Sequence, residues 1–224
     1  MSKNVPLEAG VDSCRSNPGV LSSLGEEYAQ MKVVAGLQKG RRLRTPTGSH
    51  LRPTSARVRE ALFAIVQTRV PGARVLDLYA GTGALGLEAL SRGAQHVVFV
   101  ESSPACLAIL RDNIRRCQAQ AHSTVIGRTV EYVLHHPLGE EWDQGFDLVF
   151  MDPPYHTVDR CALLQQVSAA RVLAPESLII VEHFHKHVLP QTVDRLTQVH
   201  YARYGDTALS FYAVSSRSPS HSCA

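Results

Sequence analysis

From Pro71-Gly72 onward, short apolar runs alternate with amphipathic segments, and that alternation predicts strands separated by helices. The predicted strands are Arg74–Tyr79, His96–Glu101, Thr124–Gly127, Phe146–Asp152 and Leu178–Glu182. Between them the pattern predicts helices over Leu85–Ser91, closed by Gly93, over Ala105–Arg116, over Thr129–Leu134 and over Val158–Arg171. Leu196–Tyr204 and Thr207–Val214 read as a hairpin turned at Gly205-Asp206. Upstream, Met31–Gly36 begins a short strand with a turn at Gly40. A helix then follows Arg52-Pro53-Thr54, capped by Thr54 or Ser55, with Ala61, Leu62, Ile65 and Val66 on its apolar face. Strand-helix alternation ending in a hairpin predicts an α/β, doubly wound, mostly parallel sheet with ligands at the strand C-terminal ends. The expected organisation is a mobile tail over 1–30, a small basic β-hairpin extension over 31–53, the main domain over 54–214, and a mobile tail over 215–224.

Composition narrows the class. The 224 residues are 44% hydrophobic, enough for a full core, and no apolar run approaches the roughly 18 residues of a membrane helix. Lys3, Glu8 and Asp12 interrupt any apolar signal segment at the N-terminus. Cys14, Cys106, Cys117, Cys161 and Cys223 are scattered without Cys-x-x-Cys spacing and read as reduced thiols, which points to the cytoplasm. His183, His185 and His187, and the pair His135-His136, read as surface histidines, so no metal site is expected.

Net charge is only +3, but it is unevenly spread. Eight of the 23 Lys and Arg lie between Lys32 and Arg59, with no Asp or Glu among them, which leaves fifteen against 20 acidic residues elsewhere. Lys39, Arg41, Arg42, Arg44, Arg52 and Arg57 belong to this block, with Thr54 beside them. Such a block is either a solvated face or a handle for phosphates; its concentration at one end of an acidic chain favours nucleic acid. Arg57 and Arg59 stand near a helix N-terminus, where positive charge opposes the dipole. Each is a surface arginine without a task or has a partner, such as an RNA phosphate or a cofactor carboxylate.

Three stretches carry candidate chemistry. Gly81-Thr82-Gly83-Ala84-Leu85-Gly86 follows a strand and opens a helix, so it can let a ligand approach the backbone at a helix N-terminus. That spacing is shared with dinucleotide enzymes. Asp77 lies just upstream, where a carboxylate repels a pyrophosphate but can accept from an ammonium group. Glu101, 18 residues past Gly83, stands where an acidic residue binds ribose hydroxyls, a role compatible with a carboxylate opening the next helix. Asp152-Pro153-Pro154-Tyr155 ends a buried strand in a rigid turn. Two prolines fix φ and remove two donors, leaving the carbonyls of Asp152 and Pro153 free and aimed. A carboxylate and a carbonyl can accept both N–H bonds of a planar amine while Tyr155 stacks on its face.

Taken in order, Asp77-Leu78-Tyr79-Ala80-Gly81-Thr82-Gly83, Glu101 and Asp152-Pro153-Pro154-Tyr155 resemble the class I S-adenosylmethionine-dependent methyltransferases that modify exocyclic amines. Gly40–Leu43, Leu51–Thr54, Arg57–Phe63, Gly83–Gly93 and Tyr204–Thr207 narrow the resemblance to the RsmD family, bacterial enzymes that make N2-methylguanine in small-subunit (16S) ribosomal RNA. The resemblance runs from about Met31 to Val214 and implies a seven-stranded sheet. It implies that Asp77, Tyr79, Ala80, Gly81, Thr82, Gly83, Glu101 and Ser102 bind S-adenosylmethionine. It further implies that Asp152, Pro153, Pro154 and Tyr155 hold the guanine amine, and that the basic hairpin holds rRNA within an assembled or assembling 30S particle. Where the family often has an acidic or amide residue after strand three, this chain has Gly127-Arg128-Thr129, so a backbone contact near Arg128 or Thr129 is expected for the adenine. Other readings are amine methylation of adenine or cytosine, of a protein glutamine, a dinucleotide-dependent dehydrogenase, and a non-catalytic rRNA-binding assembly factor. The dehydrogenase leaves Asp77 and Asp152-Pro153-Pro154-Tyr155 unexplained, and the arginine-rich segment argues against glutamine.

Overall fold

The computed structural model describes residues 31–45, 55–136, 142, 144–154 and 158–215. The expected tail over 1–30 and all but Ser215 of the tail expected over 215–224, together with Arg52, Thr54 and Tyr155, lie outside the described residues. The sheet runs β3-β2-β1-β4-β5-β8-β7-β6, where β1 is Arg74–Leu78, β2 His96–Val100, β3 Ser123–Ile126, β4 Phe146–Met151, β5 Leu173–Phe184, β6 Thr192–Val193, β7 Leu196–Tyr204 and β8 Thr207–Val214. β1 to β5 pair in parallel, and β5, β8, β7 and β6 continue the sheet antiparallel. The two-residue β6 is an eighth strand beyond the seven expected; it is too short for any hydrophobic period to reveal it.

Leu148 to Met151 of β4 are all buried, as are Val75 to Leu78 of β1, because helices cover both faces of this parallel sheet. One face packs against α1 (Ala56–Ile65), α2 (Ala84–Ser91) and α3 (Pro104–Arg116), and the other against α4 (Val130–His135) and α5 (Arg160–Ala169). From β1 the chain steps outward to β2 and β3, then returns to β4 on the other side of β1. That reversal opens a crevice at the C-terminal ends of β1 and β4, where ligands bind in such sheets. Among the described residues no helix is long and apolar enough to cross a membrane.

Several expectations shift in register or face. β5 begins at Leu173, five residues early, because Leu173 pairs with Phe146 before a bulge, and Pro175 and Glu176 hide this part from an apolar pattern. α1 is capped by Ser55, whose hydroxyl accepts from the Val58 amide. Its inward face is Val58, Arg59, Leu62, Phe63 and Val66, while Ile65 is exposed. Met31 to Gly36 makes no regular strand; Lys32 and Arg42 form one antiparallel bridge, flanked by hydrogen bonds from Leu43 to Met31 and Val33 to Arg41. His183 is buried rather than on the surface, with its ring between the Phe184 carbonyl and the Ser210 hydroxyl. Burial pulls its pKa down.

The hairpin over 31–45 is built into the core. Met31, Val33 and Leu43 join the apolar cluster of α1 and α2. Its backbone docks on α2, where the fully buried Glu88 carboxylate accepts from the Val34 and Ala35 amides at 2.7 and 2.9 Å. Glu88 also meets Arg92 at 2.9 Å and Arg59 at 3.6 Å. Arg59 is 1% exposed and donates to the Lys32 carbonyl at 2.7 Å. Its partner is therefore an internal carboxylate, not a phosphate or a cofactor.

Candidate active site

The glycine turn grows out of the end of β1. Tyr79 follows with φ 62, a left-handed conformation rare for a non-glycine residue, and it swings the chain into Ala80–Gly83. Gly83, φ 83, is the N-cap of α2. Gly86 must be glycine for packing: a Cβ there would overlap the Phe99 ring of β2. Helix α2 can thus lie close to the sheet with its N-terminus at the crevice.

Asp77 is buried, and its Oδ2 accepts from the Gly86 amide at 2.9 Å, fastening the first turn of α2 to β1. Burial pushes its pKa up to about 7; the Gly86 hydrogen bond opposes this, and the charges of Asp152 and Glu101 add to it. Three carboxylates therefore converge on the crevice. Such a site repels a pyrophosphate and is relieved by a ligand carrying positive charge.

Glu101, at the end of β2, straps the glycine turn to α3. Its Oε2 accepts from the Gly81 amide at 2.8 Å, and its Oε1 from the Ser103 amide at 2.7 Å. Each oxygen keeps a lone pair for a hydroxyl donor. Ser103, not the exposed Ser102, caps α3 by accepting from the Cys106 amide. Beyond β3, the exposed Arg128 turns back to the Gly127 carbonyl, and the Thr129 hydroxyl caps α4. Among the described residues, neither side chain hydrogen-bonds to the glycine turn. Glu131, one turn along, accepts from the Tyr79 hydroxyl at 3.0 Å, and burial raises that phenol's pKa.

Register places the catalytic candidate. Leu78 pairs with Met151, so Asp152 emerges beside Tyr79 at the crevice. The turn after it is held from α5: Arg160 Nη2 donates to the carbonyls of Pro153 at 3.3 Å and Pro154 at 3.5 Å. The Pro153 carbonyl is therefore not free, contrary to expectation, although one of its two lone pairs remains. Arg160 was not singled out in the sequence. It opens a helix as a cation opposing the dipole, the same signal that drew attention to Arg57 and Arg59.

Lys39, Arg41, Arg42, Arg44 and Arg57 are all exposed. Asn113 of α3 links their hairpin to the glycine turn: its carboxamide accepts from the Arg44 amide, and donates to the Arg44 and Thr82 carbonyls at 3.0 and 2.9 Å. A separate cavity of about 490 Å³, lined by Gln144, Gly145, Ser168, Arg171 and Arg195, opens at the opposite, N-terminal edge of the sheet, away from these groups.

The family described as conserved hypothetical protein 95 matches residues 31–213. The ribosomal RNA small subunit methyltransferase D of Escherichia coli is 33% identical over 165 residues, covering 72% of this chain and 78% of that protein. That of Haemophilus influenzae is 32% identical over 155 residues, covering 68% and 78%. This chain belongs to the RsmD family. The Bacillus subtilis protein YlbH is 35% identical over 182 residues, covering 81% of this chain and 98% of that one. The solved Escherichia coli protein yhhF superposes with a TM-score of 0.71 at 30% identity, covering 84% of this chain and 99% of that one. The fold is that of the class I methyltransferases, shared with a Salinibacter ruber RNA methyltransferase solved with S-adenosyl-L-homocysteine, at a TM-score of 0.57 and 12% identity.

Proposed function

We propose that this protein transfers a methyl group from S-adenosylmethionine to the exocyclic N2 amine of a guanine in small-subunit (16S) ribosomal RNA. The observation that carries the reading is the convergence of Asp77, Glu101 and Asp152 at the glycine turn, with Asp152 in a turn held rigid by Arg160. The family's ribosomal RNA methyltransferases support the substrate class.

When bound, S-adenosylmethionine supplies an electrophilic methyl on a sulfonium. Asp77 and the turn Tyr79–Gly83 hold its methionine end, Glu101 accepts from its ribose with Ser102 nearby, and the backbone around Arg128 and Thr129 faces its adenine. The donor set fits a cation: three carboxylates that repel one another are relieved by ammonium and sulfonium charge.

The N2 lone pair of guanine is delocalised into the ring, so the amine is a poor nucleophile. Asp152 accepts one of its N–H bonds, and the remaining lone pair of the Pro153 carbonyl accepts the other. Together they favour a pyramidal nitrogen, and Pro154 keeps the turn stiff. Alignment of this kind supplies on the order of 7–11 kcal/mol. Asp152 then takes the proton, a contribution of roughly 10²–10⁴-fold. Flipping the base out of its stack costs a few kcal/mol, which stacking on Tyr155, worth about 1–3 kcal/mol, offsets in part. Lys39, Arg41, Arg42, Arg44, Arg52, Thr54 and Arg57 hold the RNA backbone within a small-subunit particle in the cytoplasm.

The test is nucleoside analysis after methyl transfer to small-subunit particles from a strain lacking the enzyme. N2-methylguanine is the expected product; a methylated adenine or cytosine would overturn the substrate.

A further inference from the structure

The basic hairpin does not end at its own edge. Arg44 Nη1 lies 3.4 Å from Asp112 of α3, and the same carboxylate receives Arg115 Nη2 at 3.2 Å and Arg116 Nε at 2.7 Å. One carboxylate is thus shared by three guanidinium groups, whose side chains are 64, 60 and 47% exposed. Those arginines hold Asp112 well ionised, Arg116 most of all, with its pKa below the usual range. Arg111, also exposed, lies one turn before Arg115 on the same helix face. Across the hairpin and α3 the charges are Lys32, Lys39, Arg41, Arg42, Arg44, Arg111, Arg115 and Arg116 against Asp112 alone.

Helix ends attract arginines through the dipole, and Arg115 and Arg116 gain from it. That accounts for their position but leaves most of their charge and most of their donors unmatched. We propose that α3 is the second half of the RNA-binding surface, with Arg111, Arg115 and Arg116 continuing the hairpin's contacts along a phosphate backbone. This rests on the reading of the protein as an rRNA methyltransferase. Asp112 gathers the three guanidinium groups around one carboxylate, and each keeps N–H donors for phosphate oxygens. Asn113, the next residue, ties the surface to the cofactor turn through Thr82, so RNA on α3 lies beside the crevice.

The experiment measures binding of a labelled small-subunit rRNA fragment to the full chain by fluorescence anisotropy over a series of KCl concentrations. Arg115→Gln/Arg116→Gln is expected to flatten the slope of log K against log[KCl] by about 1 to 2, since each phosphate contact contributes roughly 0.7–0.9. Arg115→Lys/Arg116→Lys keeps the charge and is expected to keep the slope, and Asp112→Asn to steepen it. Cofactor affinity, measured on each variant, reports that the fold is intact. An unchanged slope in the glutamine pair, or an equal loss in the lysine pair, overturns the proposal. Methyl transfer by the unaltered protein to small-subunit particles tests the underlying reading separately: success there with an unchanged slope removes only the α3 surface.

Discussion

Arg160 Nη2 donates to the Pro153 carbonyl at 3.3 Å, so the turn after Asp152 is fixed from α5 as well as by its own prolines. Arg160 is nearly buried, and its guanidinium also reaches the carbonyls of Pro154 and Val158. Arg160→Ala is expected to lower kcat about 10- to 100-fold, the scale of an ångström of misplacement, with cofactor affinity unchanged. Arg160→Lys keeps a charged donor and should recover part of kcat. Steady-state kinetics with separate cofactor binding would check this; a change confined to KM would show that the contact does not position the turn.

Glu88 holds the basic hairpin to α2. Removing it leaves Arg59 buried without its carboxylate and takes the acceptor from the Val34 and Ala35 amides and from Arg92 Nε. Glu88→Ala is expected to destabilise the protein by about 3–5 kcal/mol in urea unfolding. A loss below about 1 kcal/mol would mean that water replaces the carboxylate there.

Asp77 gives a pH signature. Its carboxyl titrates near 7 when folded and near 3.8 otherwise, so the folded state holds a proton that the unfolded chain has released between those values. Stability from this group is full below pH about 4 and is lost as pH rises through about 7. Asp77→Asn keeps an acceptor for the Gly86 amide without the charge. Thermal melts from pH 5 to 8 should show the ligand-free protein losing stability as pH rises, and the variant losing less while binding the cofactor more weakly. Parallel profiles would contradict the buried charge.

The hairpin arginines are exposed while their backbone is fixed, which suits phosphates rather than internal partners. Replacing Arg41, Arg42 and Arg44 by glutamine is expected to weaken RNA binding and flatten its salt dependence by about 2 to 3. An unchanged slope would remove the hairpin from the interface.

Much of this was legible in the sequence. The apolar runs of β1, β2, β7 and β8, the Gly81–Gly86 turn and Asp152 stand where the pattern placed them, because each is set by residues close together in the chain. What was not legible depends on distant partners. Arg59 reads from the sequence as a surface arginine or as the partner of a phosphate or a cofactor carboxylate because its actual carboxylate, Glu88, lies 29 positions away on another helix, and α1 buries Val58, Arg59 and Phe63 in place of Ala61 and Ile65. His183 was read as exposed because Ser210, which meets its ring, is 27 residues downstream. Arg160 could have been found, since a cation opening a helix asks for a partner, and here the partner is the turn after Asp152.

The most direct measurement is single-turnover methyl transfer from labelled S-adenosylmethionine to small-subunit particles, comparing the unaltered chain with Asp152→Ala. The proposed chemistry predicts label in N2-methylguanine with the first, and cofactor bound but transfer lowered by roughly 10²-fold or more with the second. Near-normal turnover in Asp152→Ala, or label in another base, would contradict it.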